Sequence, residues 1–311
     1  MSPLPNGPSS PASHQTQASH QTKKQTLLHI SRWRNQIDID IPNLKPTPPK
    51  IFDNWFDLPP ELKVNIVSRI HHFEILENAQ YVCSDWYKVC KDPSIWKVIN
   101  LFGLRESFYM SESFNGGLPG IWKICKNVVD RSDGQLVDIV IPDLRTDEIL
   151  MYVADRARQL KRLDMYCCIR DDSSIKSLHK ALKKFPLLEE LSVDFEYLTK
   201  EAIESAGRYC PLLKTLSFYQ EGSLSSSLKV NDEIGVAIGA NLHELRHLKL
   251  INNTISNIGL KAILDGCHQL ESLKLSMCAH IDLNRDVVKR CSKQIKHLTL
   301  PERSHLESLK R

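Results

Sequence analysis

Two hydrophobic rhythms run along this chain. Between residues 51 and 101, apolar residues recur every three or four positions: Leu62, Ile66, Ile70 and Phe73, then Ile75, Leu76, Ala79, Val82, Cys83 and Trp86, then Ile95, Trp96 and Val98 after Pro93. That period marks one face of a helix, so three short helices are expected. Pro59 and Pro60 suit the start of the first, where a fixed φ and a missing N–H cost little. A second rhythm takes over from about residue 119. Six-residue units with apolar positions one, four and six recur as "LVDIVI" (136–141), "LKRLDM" (160–165), "LEELSV" (188–193), "LKTLSF" (213–218), "LRHLKL" (245–250), "LESLKL" (270–275) and "IKHLTL" (295–300). Their middle anchors, Ile139, Leu163, Leu191, Leu216, Leu248, Leu273 and Leu298, are spaced 24, 28, 25, 32, 25 and 25 residues apart. A single alternating strand arises easily by chance, but seven at a near-constant period do not.

Helical stretches fill the gaps: "TDEILMYVADRA", "SIKSLHKALKKF", "TKEAIESAGRYC", "NDEIGVAIGANL", "NIGLKAILDGC" and "NRDVVKRC". Several open on Thr, Asp, Ser or Asn near an acidic residue, as helix starts prefer. The spacing of 32 reflects a Ser-rich insertion, "QEGSLSSSLKV" (220–230), expected to be a surface loop.

A strand and a helix about every 25 residues resembles the leucine-rich repeat, and Cys168, Asn253 and Cys278, three residues past a third anchor, resemble its cysteine-containing subclass. Leu144, Glu196, Glu221 and Arg303 depart from that pattern. The expected fold is an α/β solenoid, with a parallel sheet on its concave face, preceded by a small three-helix block. No unit can bury its own apolar face, so stacking makes one continuous core. By alternation, the residues flanking each middle anchor face the concave surface: Arg162, Asp164 and Tyr166, then Glu190, Ser192 and Asp194, then Thr215, Ser217 and Tyr219, with His247, Lys249, Ile251, Ser272, Lys274, Ser276, His297 and Thr299 after them. Acidic residues lie mostly in the earlier repeats and basic ones in the later.

Composition refines this reading. Residues 1–50 are rich in Ser, Pro, Gln and Thr, a composition that cannot offset its ordering entropy, and are expected to be a disordered tail and linker. The net charge of +4 resides there: Lys23, Lys24, Arg32, Arg34, Lys45 and Lys50 outweigh Asp38 and Asp40. Residues 51–311 balance at 35 basic and 35 acidic side chains, which argues against nucleic acid as a partner. Leu27, Ile30, Trp33 and Ile37 beside Arg32 and Arg34 resemble a transit peptide, but the first 22 residues carry no side-chain positive charge, and a plain tail is favoured. No apolar run reaches bilayer length. Nine cysteines without a CxxC pair, and no signal peptide, point to a reducing compartment, the nucleus or cytoplasm.

Chemistry is sparse. Cys83, Cys210 and Cys267 sit on apolar helix faces and read as core. Adjacent Cys167 and Cys168 are poorly placed to ligate one ion, and His243 and His247 lose zinc-helix geometry because His247 falls in a strand. His71 and His72 read as caps at a helix C-terminal end. Asp171–Asp172 and Glu189–Glu190 read as a helix start and a solvated strand edge. With no nucleophile elbow, phosphate loop or paired-carboxylate motif, no catalytic residue, cofactor or metal is expected.

The stretch "LPPELKVNIVSRI", followed by "EILENAQYVCSDWYKVCKDPSIW", resembles the F-box over about residues 54–100. Asp85 departs from the family, which usually carries a basic residue there, and is expected to be exposed. The whole chain resembles a plant-type F-box/leucine-rich-repeat protein with a short array. That resemblance implies boundaries at 1–50 (tail), 51–101 (F-box), 102–118 (connector), 119–302 (about seven repeats) and 303–311 (C-terminal tail). It implies a non-catalytic substrate receptor of an SCF-type cullin–RING ubiquitin ligase. Leu58, Pro59, Leu62, Ile66, Ile70, Leu76, Trp86 and Trp96 are then candidate contacts for a Skp-type adaptor, or packing for the domain. Tyr166, Asp194, Tyr219, Lys249 and Lys274 are candidate contacts for an unidentified protein substrate. The competing reading is a repeat scaffold acting outside a ligase.

Overall fold

A computed structural model of the chain describes residues 54–101, 119–142, 147–166, 177–194, 198–219, 230–278 and 280–300. The expectations for the tails, for the connector and for most of the Ser-rich insertion lie outside these residues, as do Cys167, Cys168, Asp171 and Asp172. The alternating units form one eight-stranded parallel sheet in chain order: β1 Val98–Asn100, β2 Asp138–Pro142, β3 Arg162–Tyr166, β4 Glu190–Asp194, β5 Thr215–Tyr219, β6 His247–Ile251, β7 Ser272–Ser276 and β8 His297–Thr299. The middle anchors align in one row, Ile139, Leu163, Leu191, Leu216, Leu248, Leu273 and Leu298. All but Leu298 are fully enclosed. Helices α4 Pro119–Arg131, α5 Asp147–Arg156, α6 Leu178–Leu182, α7 Lys200–Tyr209, α8 Glu233–Asn241, α9 Asn257–Gly266 and α10 Arg285–Gln294 alternate with the strands.

Starts and turns follow the expected chemistry. Thr199 and Asn284 cap α7 and α10 by accepting from the Ala202 and Val287 amides. One cap reaches across repeats: Asp232 accepts from the Ser256 and Gly259 amides and the Ser256 hydroxyl, at 2.7–3.0 Å, at the start of α9. Helices α8 and α9 approach through glycine, since a Cβ on Gly235 would come within 2.7 Å of the Gly259 Cα. After β6 and β7, Asn252 and Met277 turn the chain in the left-handed region. Next to them Asn253 and Cys278, each three residues past a third anchor, are buried, and the Asn253 side-chain amide donates to the Cys278 sulfur at 3.2 Å.

The first strand, β1, lies outside the seven units read from the sequence. "WKVINL" (96–101) carries the same anchor pattern, with Trp96, Ile99 and Leu101 all enclosed and Ile99 paired with Ile139. The helical block therefore ends by supplying the first strand of the sheet, and its core residues join the core of the array without a break.

That block consists of α1 Pro60–Val67, α2 His72–Glu77 and α3 Ser84–Val89, with short 3-10 turns at Trp55–Asp57, Ala79–Tyr81 and Pro93–Trp96. The second apolar run is thus two helices and a turn. Asn78 leaves helical geometry at φ −129, ψ −60, and Cys83 is extended at φ −163, ψ 175. The histidines do not cap a helix C-terminus. His71 is the N-cap of α2, its Nδ1 accepting from the Phe73 amide, and His72 lies against the Trp96 ring.

Candidate functional site

Helix α1 decides which apolar side chains the small block keeps and which it presents. Its inward face carries Val67 and also Lys63, which is 8% exposed. Lys63 reaches Asp85 at 3.0 Å, and Asp85 also accepts from Trp55 Nε1 at 2.7 Å. Trp55 in turn stacks on Trp86, with ring centroids 4.5 Å apart. Asp85 is therefore a half-buried junction joining three segments, a correction to its reading as an exposed surface residue. These bonds to Lys63 and Trp55 hold its carboxyl below the usual carboxylate range. With Lys63 facing inward, Leu62 and Ile66 are turned to solvent one helical turn apart, at 44% and 41% exposure. Phe56, Tyr81, Val82 and Tyr87 are exposed large apolar residues on the same block.

The eight expected contact residues separate by placement. Leu62 and Ile66 face solvent, and Leu58 and Pro59 are half-buried. Ile70, Leu76 and Trp86 are partly buried and packed against the core. Trp96 has no exposed surface, and its Nε1 donates to the Cys90 carbonyl at 2.9 Å. Arg131 of α4 lies over its ring, 5.2 Å from the centroid, and donates to Gln80 Oε1 at 2.9 Å. Trp96 is an anchor of the first strand and a seat for Arg131, so its surface is used internally. Phe56, Tyr81 and Tyr87 were not singled out beforehand, because helical periodicity does not see residues in turns or on polar faces.

On the sheet, register places the flanking residues in rows. One row runs Asp138, Arg162, Glu190, Thr215, His247, Ser272 and His297. The next runs Val140, Asp164, Ser192, Ser217, Lys249, Lys274 and Thr299. The expected contacts Lys249 and Lys274 are paired neighbours in that second row, and Asp194 and Tyr219 pair in a third. Tyr166 pairs with Pro142 at the end of β3. At the N-terminal end Arg162 lies among Asp138, Asp164 and Glu190, at 3.7–3.8 Å from each. Burial pushes the Asp138 carboxyl up to about 7 despite the attraction of Arg162, and Asp164 and Glu190 push the same way. Asp138 Oδ1 is buried with no hydrogen-bond partner.

Burial raises the thiols of Cys125, Cys210 and Cys267 to about 12 and that of Cys278 to about 11, which disfavours thiolate chemistry. Cys210 and Cys267 are core residues, whereas Cys83 is only half-buried. Among the described residues, no three His, Cys, Asp or Glu side chains are grouped to hold a metal ion. His243 is exposed and faces the Gly266 carbonyl, while His247 is in β6. Among the described residues, no helix is long and apolar enough to cross a membrane.

The fold is that of a leucine-rich-repeat protein whose parallel sheet begins on a small helical block. The F-box-like family model matches residues 55–101. The chain is 38% identical over 253 residues to the F-box protein SKIP19 of Arabidopsis thaliana, covering 81% of this chain and 78% of that protein. It is 34% identical over 305 residues to F-box/LRR-repeat protein 21 of the same plant, covering 92% and 96%. F-box/LRR-repeat protein 23, also from Arabidopsis thaliana, is 40% identical over 253 residues, and there the match covers 81% of this chain but 54% of the relative, about half its length. The chain belongs to the F-box/LRR-repeat protein family. Among solved structures, the leucine-rich repeat-containing protein LegL7 from Legionella pneumophila matches with a TM-score of 0.41 at 13% identity, over 79% of this chain and 78% of that one. That likeness is too distant to carry an argument.

Proposed function

We propose that this protein is the substrate-recognition subunit of an SCF-type cullin–RING ubiquitin ligase. Its F-box docks a Skp-type adaptor, and through it the cullin and RING subunits, while the concave face of the repeats holds the protein to be modified. Catalysis then belongs to other subunits, and the complex works in the nucleus or cytoplasm. The observation that carries this reading is the outward turn of Leu62 and Ile66 on α1 while Lys63 and Val67 take the inward face. A domain of this size gains little by leaving such side chains in water, and a few apolar anchors commonly dominate an interface. Membership of the F-box/LRR-repeat family supports the choice of adaptor. Leu58, Pro59, Ile70, Leu76 and Trp86 support the dock from beneath.

The test is a pull-down of recombinant Skp-type adaptor by the full chain. Wild type captures the adaptor, and Leu62→Ala with Ile66→Ala releases it while the melting temperature holds. Failure of a folded wild-type chain to capture the adaptor overturns the ligase reading and leaves a repeat scaffold acting outside a ligase.

A further inference from the structure

One row of the solenoid changes character over two adjacent repeats. The residue just before each first anchor lies where a helix gives way to a strand, and it is polar in five repeats: Gln135, Gln159, Glu244, Gln269 and Gln294. The fold therefore accepts a polar side chain at this position. In the other two repeats the identical turns "PLL" (186–188 and 211–213) place Leu187 and Leu212 there instead. They are 39% and 41% exposed, while the anchors behind them, Leu188 and Leu213, are buried. The two turns lie side by side, because the Lys214 and Thr215 amides both donate to the Glu189 carbonyl, at 2.9 and 3.1 Å. At the helix ends the Cys210 thiol reaches the Leu182 carbonyl at 3.5 Å. A single exposed leucine is ordinary on a protein surface, but a stacked pair at an otherwise polar position is not demanded by the fold.

Cations frame the pair. Lys183 and Arg208 occupy equivalent positions near the ends of α6 and α7, and Lys214 follows Leu213 on the strand side. All three are exposed, and none of them is ion-paired among the described residues. Lys183 lies 5.8 Å from the centroid of the Tyr209 ring, so the two repeats share this edge. The carboxylates beside it are engaged, Glu189 by Lys161 at 3.1 Å and Asp155 by Lys184. We propose that the turns 186–188 and 211–213 seat a segment of a partner protein that presents leucine or phenylalanine flanked on both sides by carboxylates. Leu187 and Leu212 take the apolar side chains, while Lys183 and Arg208 on one side and Lys214 on the other meet the acidic ones. The leucines alone select no partner; the three cations around them do. None of these residues belongs to the concave rows or to α1, so the proposal goes beyond the ligase reading and stands whether or not the chain captures an adaptor. A protein is favoured over an anionic membrane. Insertion there takes an apolar face sunk roughly 5–10 Å deep, and two leucines that are more than half covered do not supply it.

The experiment is fluorescence anisotropy of the full chain with a fluorescein-labelled peptide in which two leucines are flanked on each side by four aspartates. Companion peptides carry alanine for leucine, or lysine for aspartate. The aspartate–leucine peptide binds at least roughly tenfold more tightly than either companion, and weakens as salt rises from about 50 to about 300 mM. Leu187→Gln with Leu212→Gln installs the residue that other repeats carry, keeps the melting temperature, and lowers the affinity roughly tenfold. Lys183→Glu with Arg208→Glu lowers it at least about tenfold, whereas Lys261→Glu with Lys289→Glu, exposed on α9 and α10, changes it less than about twofold. No binding up to about 1 mM peptide, or equal loss from the Lys183/Arg208 and Lys261/Lys289 pairs, overturns the proposal. So does a glutamine variant that melts and binds as wild type does. Co-sedimentation with vesicles of about 30% phosphatidylserine in phosphatidylcholine is run alongside, and the wild-type chain should stay in the supernatant. Capture by the vesicles that the glutamine variant loses assigns the surface to a membrane and also overturns the proposal.

Discussion

Replacing Asp138 with asparagine should stabilise the protein, although it deletes one partner of Arg162. The carboxyl is raised from 3.8 to about 7, mainly because burial penalises its charge more than Arg162 rewards it. A raised folded-state pKa means that this group contributes stability below about pH 4 and loses it as pH climbs through 7. Roughly three pKa units at about 1.4 kcal/mol each put the full loss near 4 kcal/mol. Asparagine keeps the shape of the protonated acid but leaves Arg162 with two carboxylates instead of three, so about 2 kcal/mol is the expected net gain at pH 8. For a domain of this size that is a rise in melting temperature of about 4–8 °C. The assay is thermal and urea unfolding of wild type and Asp138→Asn at pH 5 and pH 8. Near pH 5 the two proteins should be close, because most of the loss of about 4 kcal/mol falls between pH 5 and pH 7, where the folded carboxyl still holds a proton that the unfolded one has given up. By pH 8 the variant should lead. Titrations elsewhere in the chain cancel in the difference. A variant less stable than wild type at pH 8, or a difference that does not grow with pH, would refute the desolvation argument.

Two further outcomes follow from partly buried polar groups. His72, partly buried against Trp96 with its Nε2 facing the Ile95 carbonyl, is lowered to about 4 by desolvation, so the folded state resists protonation. Stability should fall as pH drops from about 6.5 toward 4, by up to roughly 3 kcal/mol, and His72→Phe should flatten that part of the melting-temperature profile. Asp232→Ala removes three hydrogen bonds at the start of α9 and should cost about 2 kcal/mol by urea unfolding, whereas Asp282→Ala, whose side chain is exposed, should cost less than about 0.5 kcal/mol.

The repeat array was readable because its signal is redundant. Seven anchor triplets at one period survive irregular turns and an insertion, and their register follows from stacking alone. The same redundancy hid β1. Trp96, Ile99 and Leu101 obey the pattern, but Ile99 stands 40 residues before Ile139, and a tryptophan fills the first anchor, so the unit reads as the end of the helical block. In the F-box, periodicity found the first helix, merged two helices and a turn into the second, and took as a third helix what is a 3-10 turn at Pro93–Trp96 followed by the strand that holds Val98. Nothing local marks Lys63 as an inward residue; its turn toward the core depends on Asp85, 22 residues later, in place to receive it. That tertiary bond is also what leaves Leu62 and Ile66 outside. The charged rows of the concave face were legible from alternation, whereas the raised Asp138 carboxyl was not, because it depends on burial that no local pattern encodes.

The adaptor dock proposed on α1 is open to direct measurement. The direct measurement is a calorimetric titration of a Skp-type adaptor into the full chain, wild type and Leu62→Ala with Ile66→Ala. Each side chain is already about half-buried, so completing its burial is worth roughly 1–1.5 kcal/mol, and losing both should weaken binding roughly 30- to 150-fold. Unchanged affinity in the folded double variant, or no heat of binding for wild type, would contradict the account.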